Sequence, residues 1–183
     1  MDTKHLDPLR KELRLLRATV PPKPWRSVGV IAVGGLHAVG FDRVSELLLV
    51  VSSAGRGVID CQTGSKVARD SEEYYGNEQY LEADGIGPLK GRTLTMTGLL
   101  GGGLPKSTSD GWSVEVVTLD WPVGDILLLE PFSSMYDSLR GKSNRFHKVA
   151  SDSELRAVGF SYSGLSLIVA TSSDVAVFCR DAV

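Results

Sequence analysis

Histidine and cysteine are scarce in this 183-residue chain, with three of one and two of the other. His5, His37 and His147 have no i, i+4 partner and no neighbouring cysteine, whereas a zinc site needs three or four convergent ligands. No metal site is expected. Cys61 and Cys179 could join only if the fold brought them together, and buried free thiols are expected instead, as in a reducing cytosol. Long apolar runs are missing too. Leu47 to Val51 and Ile126 to Leu129 are strand-sized, well short of the roughly 20 residues that span a bilayer. The first sixteen residues lack the apolar region and small-residue cleavage site of a secretory signal. A cytoplasmic protein without membrane attachment is the expectation.

The net charge of −2 is too small to argue for nucleic acid, whose phosphates call for a concentrated basic face. Catalytic signatures are also lacking. No serine stands in a G-x-S-x-G elbow, and Tyr162-Ser163-Gly164 reads as a hairpin turn. The stretch Gly101-Gly102-Gly103-Leu104-Pro105-Lys106-Ser107 has no glycine directly before the lysine and is followed by a strand-like run. It reads as an exposed loop, not a phosphate loop. No catalytic residue and no cofactor is assigned, and the chain is read as a non-enzyme.

What is present is an ordinary globular composition, 42% hydrophobic and 23% charged, enough for one good core. Asp7-Pro8 is a helix-start signal with Asp7 as N-cap. Leu6, Leu9, Leu13 and Leu16 follow at helical spacing, which predicts an amphipathic helix over residues 8–18. Pro21, Pro22 and Pro24 then impose an extended connector that ends at Trp25. The division is a helix and Pro-rich connector over 1–24 and a single β domain over 25–183. The helix is expected to pack onto the domain with Trp25 as a plug. Beyond Trp25 the β-branched runs Ser27–Val33, Leu47–Val51, Thr93–Thr97, Trp112–Leu119, Asp125–Glu130 and Leu165–Thr171 alternate with turns, the pattern of an antiparallel meander.

One tetrapeptide occurs twice. Ala38-Val39-Gly40-Phe41 returns as Ala157-Val158-Gly159-Phe160, a shift of 119 positions that also aligns Leu48 with Leu167, Val50 with Val169, Ser53 with Ser172 and Val58 with Val177. Each copy reads as three antiparallel strands joined by turns. With the phenylalanine, the L-x-V-S/T-S core, Asp60 followed by Thr63-Gly64, and Phe178 closing the last strand, the two copies resemble blades of WD40-type β-propellers. Such repeats recur at roughly 40 to 45 residues. Gly124, Leu127, Leu128 and Leu129 align at forty positions with Gly164, Leu167, Ile168 and Val169, and a further copy would fall near Tyr80 to Leu99. The Gly-His and Trp-Asp signatures are absent, and the length allows at most four short blades. The expected fold is therefore mostly β, an antiparallel blade-like meander with one N-terminal α-helix, closed as a small or partial propeller or folded as a β-sandwich.

The clearest chemical asymmetry lies between the copies. Asp70, Glu72, Glu73, Glu78, Glu82 and Asp84 share one short segment with Tyr74, Tyr75 and Tyr80, and no Lys or Arg interrupts it. Like charges supply a strong local field, and tyrosines supply rigid contact area with polar tips. These nine residues are the candidate partner-binding site, and a basic protein is the expected partner. The concrete expectation is an immunity or inhibitor protein that neutralises a basic toxin domain. The alternative is a scaffold that self-associates through its N-terminal helix and β surface. The oligomeric state is left open.

Overall fold

The computed structural model describes residues 6–74, 76–137, 140–143 and 145–181. Its one α-helix, α1 (Asp7–Leu15), is followed by β1 (Arg26–Ala32), β2 (Leu36–Phe41), β3 (Leu47–Ser52), β4 (Gly55–Asp60), β5 (Ser65–Arg69), β6 (Glu82–Asp84), β7 (Thr93–Thr95) and β8 (Thr97–Gly98). The second half adds β9 (Ser113–Asp120), β10 (Val123–Leu129), β11 (Phe146–Asp152), β12 (Leu155–Phe160), β13 (Ser166–Thr171) and β14 (Asp174–Cys179).

The helix differs from its prediction at both ends. Leu6 occupies the N-cap without a side-chain bond, and Asp7 lies in the first turn, where its carboxylate accepts a hydrogen bond from Arg10 at 2.6 Å. The helix ends at Leu15, three residues early. The Thr19 amide bonds the Lys148 carbonyl at 2.9 Å, so the chain is drawn out along β11 and the sheet takes the amide that another helical turn would have used.

The strands form four antiparallel sheets: β9–β11, β1 with β12–β14, β2–β5 with β8, and the β6–β7 ribbon. Alternation along each strand stacks them in that order. Leu127 and Leu129 of β10 meet Leu9 and Leu13 of α1, while Ile126 and Leu128 face the other way onto Phe160, Leu167 and Val169. Ile168 and Ala170 of β13 then pack on Leu48 and Val50 of β3. Leu49 and Val51 face Ala83, Leu94 and Met96 of the ribbon side. Both middle sheets are thus covered on two faces, which is why β3 and β13 are continuous apolar runs and not alternating ones.

The repeat is a repeat of structure. At the shift of 119 positions β2, β3 and β4 coincide end for end with β12, β13 and β14. Phe41 faces Leu48 as Phe160 faces Leu167, and both first strands carry an irregularity at the same place, Leu36/Ala38 and Leu155/Ala157. The fourth strand has a different origin in each copy. β5 follows directly in the first, whereas β1, from the N-terminal side of the chain, pairs with β14 in the second. β10 is the middle strand of its own three-stranded sheet, and the expected copy near Tyr80–Leu99 is reduced to the two-stranded ribbon.

Among the described residues no apolar cluster joins the ribbon to the β9–β11 sheet. The sheets are not closed into a propeller. The four sheets pack one on the next, and α1 covers the free face of β9–β11. The helix commits its buried leucines, Leu9 and Leu13, within the chain. Two of its basic side chains, Arg10 and Arg14, pair with Asp120 and not with the acidic segment. Trp25 is buried as a plug, 5.9 Å from Trp112 and 5.6 Å from Phe160 between ring centroids.

Candidate protein-binding surface

Arg56, on β4, organises the base of the acidic segment. Its guanidinium donates two bonds to the Asp70 carboxylate at 2.7 and 3.0 Å, and its backbone amide donates a third at 2.9 Å. A further guanidinium bond reaches the Asp84 carbonyl at 3.0 Å. The same group lies 4.0 Å from the centroid of the Tyr74 ring, a stacked cation–π arrangement. The Tyr74 hydroxyl in turn accepts the Asp84 amide at 2.7 Å, and the Asp84 carboxylate accepts the Thr93 hydroxyl at 3.2 Å. Three of the nine predicted site residues, Asp70, Tyr74 and Asp84, therefore form a brace that holds both ends of the segment.

The five others that are described face outward. Glu72, Glu73, Glu78 and Glu82 are exposed, and Tyr80 is 65% exposed. Tyr75 lies outside the described residues. Asn77 and Glu82 exchange backbone bonds at 2.7 and 3.0 Å, closing a tight loop that presents Glu78 and Tyr80 at its tip. Leu81 completes that loop in the left-handed region, at φ 53°, and its carbonyl accepts the Met96 amide at 2.6 Å. A bulky side chain in this conformation carries a steric cost that the surrounding bonds must hold.

Beside the loop opens a cavity of about 210 Å³, bounded on the far side by the Gly98–Gly101 turn. Leu81, Ala83, Met96, Leu99 and Leu100 supply apolar lining, and Glu78 and Glu82 supply the charge. Leu99 and Leu100 are 63% and 61% exposed. Sequence reasoning missed this feature by treating the glycine-rich stretch as no more than an exposed loop. Its signal was two adjacent leucines immediately before Gly101-Gly102-Gly103, outside any alternating strand.

Several of the other residues weighed from the sequence have structural roles. Lys106 donates to the Val158 carbonyl at 2.7 Å, and burial pulls its ammonium below the usual lysine range. Ser163 lies in the β12–β13 turn and bonds Glu46 and the Leu165 amide. His147 pairs with Glu130 at 2.9 Å, His37 lines the cavity, and His5 lies outside the described residues. Cys61 and Cys179 are free and buried, and burial pushes both thiols up. Among the described residues no group of three or more His, Cys, Asp or Glu converges as a metal site, and no helix is long and apolar enough to cross a membrane. Comparison with known proteins found no matching family model, curated protein or solved structure.

Proposed function

We propose that the chain is a non-enzymatic protein-binding module that engages a basic partner through the outward half of its acidic segment. The observation that carries this reading is the pairing of exposed Glu72, Glu73, Glu78, Glu82 and Tyr80 with a base fixed by Arg56. Opposed potentials accelerate encounter, and a contact loop fixed before binding loses less conformational freedom when bound. An immunity or inhibitor protein covering the working face of a basic toxin domain is the concrete form of the proposal.

The test is affinity capture from the native cell with the wild-type chain and with a Glu72→Lys, Glu78→Lys, Glu82→Lys variant, each at two salt concentrations. The wild type is expected to retain a basic protein whose yield falls with salt, and the variant to lose it. Equal capture of the same protein by both chains would sink the reading.

A further inference from the structure

We infer that the partner engages this surface with one large apolar side chain flanked by Lys or Arg, the apolar group entering the cavity between Leu81 and the Leu99–Leu100 turn. This rests on the binding reading above and adds the chemistry of the element that makes contact.

The cavity is built to receive such a group. Its floor belongs to the core: Ala83 and Met96 are 2% and 5% exposed and pack with Leu49, Val51 and Leu94, so the floor is as close-packed as a protein interior. Its outer wall is the reverse, two leucines more than half exposed on a turn pinned by mutual Gly98–Gly101 backbone bonds. Apolar cavities of roughly 150 Å³ take up benzene, so about 210 Å³ accommodates one large aliphatic or aromatic side chain.

Charge decides what must flank it. Glu78 and Glu82 both border the opening, and no Lys or Arg is among the described lining residues. An acidic neighbour would be repelled, and an uncharged one would shield two carboxylates from water without compensation. Lys or Arg on either side of the anchor satisfies both while water is excluded around the buried side chain, the usual arrangement of an energetic hot spot.

Three blocked pentapeptides serve as probes: Lys-Lys-Leu-Lys-Lys, Lys-Lys-Ser-Lys-Lys and Glu-Glu-Leu-Glu-Glu, each titrated into the full chain and followed by NMR. The basic leucine peptide is expected to bind about tenfold more tightly than the serine peptide and to shift resonances of Ala83, Met96, Leu99 and Leu100. A Leu99→Ser, Leu100→Ser variant should erase that difference, and Glu78→Gln with Glu82→Gln should bring the basic and acidic leucine peptides level. If the leucine and serine peptides bind the wild type equally, yet both weaken in the glutamine variant, the cavity inference is overturned and the binding reading stands. Equal binding of the two leucine peptides to the wild type overturns both. Concentration-dependent shifts at Leu99 without peptide, abolished by Leu15→Ser with Leu16→Ser, leucines exposed at the end of α1, would assign the cavity to a second copy and also overturn the inference.

Discussion

The Asp110 carboxylate accepts two hydrogen bonds from the Arg180 guanidinium, at 2.5 and 2.7 Å, across seventy positions of sequence. The same guanidinium lies 4.8 Å from the Trp25 ring centroid and donates to the Gly164 carbonyl at 2.9 Å. One cation thereby ties the connector after the helix, the loop before β9 and the end of the last blade-like unit.

Asp110→Asn is expected to cost about 2 kcal/mol, less than a fully buried pair because the Asp110 side chain is 42% exposed while Arg180 is 5% exposed. Arg180 first, and then the Thr108 hydroxyl, hold this carboxyl well below the usual carboxylate range. A depressed folded-state value means that protonation favours unfolding. The contribution is complete above about pH 4 and is lost as the pH falls below that. Urea midpoints at pH 7 and pH 3 should show a smaller acid loss in Asp110→Asn than in the wild type. An equal loss in both proteins would place the acid sensitivity elsewhere.

Gly40 and Gly159, the shared glycines of the repeated tetrapeptide, are needed for the same physical reason. A Cβ on Gly40 would lie 2.5 Å from the Thr95 carbonyl oxygen, and one on Gly159 would lie 2.5 Å from Leu104 Cβ and 2.8 Å from the Pro105 carbonyl oxygen. In each copy another segment of the chain crosses close over the first strand, a later one in the first copy and an earlier one in the second. Alanine at either position is expected to destabilise by about 1–3 kcal/mol, the usual range for overpacking, and the two costs should add because the sites contact different segments. Thermal melts of both single variants and the double would reveal the effect. Unchanged melting in either single variant would remove this account of the repeat.

Much of this fold was legible because periodicity and repetition report directly on burial. Leu47–Val51 and Leu165–Thr171 were readable as strands because short, mostly apolar runs bounded by turn residues suit a strand covered on both faces. Other features depend on partners distant in sequence. That β1 would complete the second copy is not written in Arg26–Ala32, whose pairing with β14 comes from the far end of the chain. The helix terminus was misplaced because a β11 carbonyl took the Thr19 amide. At the candidate surface, charge counting found the segment but could not separate braced Asp70 from outward Glu78, since Arg56 stands fourteen positions upstream of Asp70.

Arg56→Ala should therefore loosen the binding surface more than the fold. It removes the cation shared by Asp70, Tyr74 and the Asp84 carbonyl while leaving the β3–β4 backbone pairing intact. A stability loss of about 1–3 kcal/mol is expected from the lost charged hydrogen bonds. Amide exchange should rise chiefly at Arg56 and Asp84, whose N–H groups are bound by Asp70 and Tyr74. If exchange rose equally in β13, the brace would be a global element and not a local one.

The helix offers the sharpest test of how the stack of sheets ends. Leu9 and Leu13 are 1% and 2% exposed against Leu127, Leu129 and Phe146. The buried Lys148 ammonium fixes the same contact, reaching the Leu13 carbonyl at 2.7 Å and the Asp125 carboxylate at 2.9 Å. Leu13→Ala should cost about 2–4 kcal/mol through the lost side-chain atoms and the space left behind. Removing residues 1–24 goes further, because it uncovers an apolar sheet face that water does not tolerate. Light scattering should find the full chain at the same mass over a dilution series and the shortened chain forming larger species. Were the shortened chain to keep the mass of one copy and the thermal stability of the full chain, α1 would be an accessory, and the stack of sheets would be stable without a cap at that end.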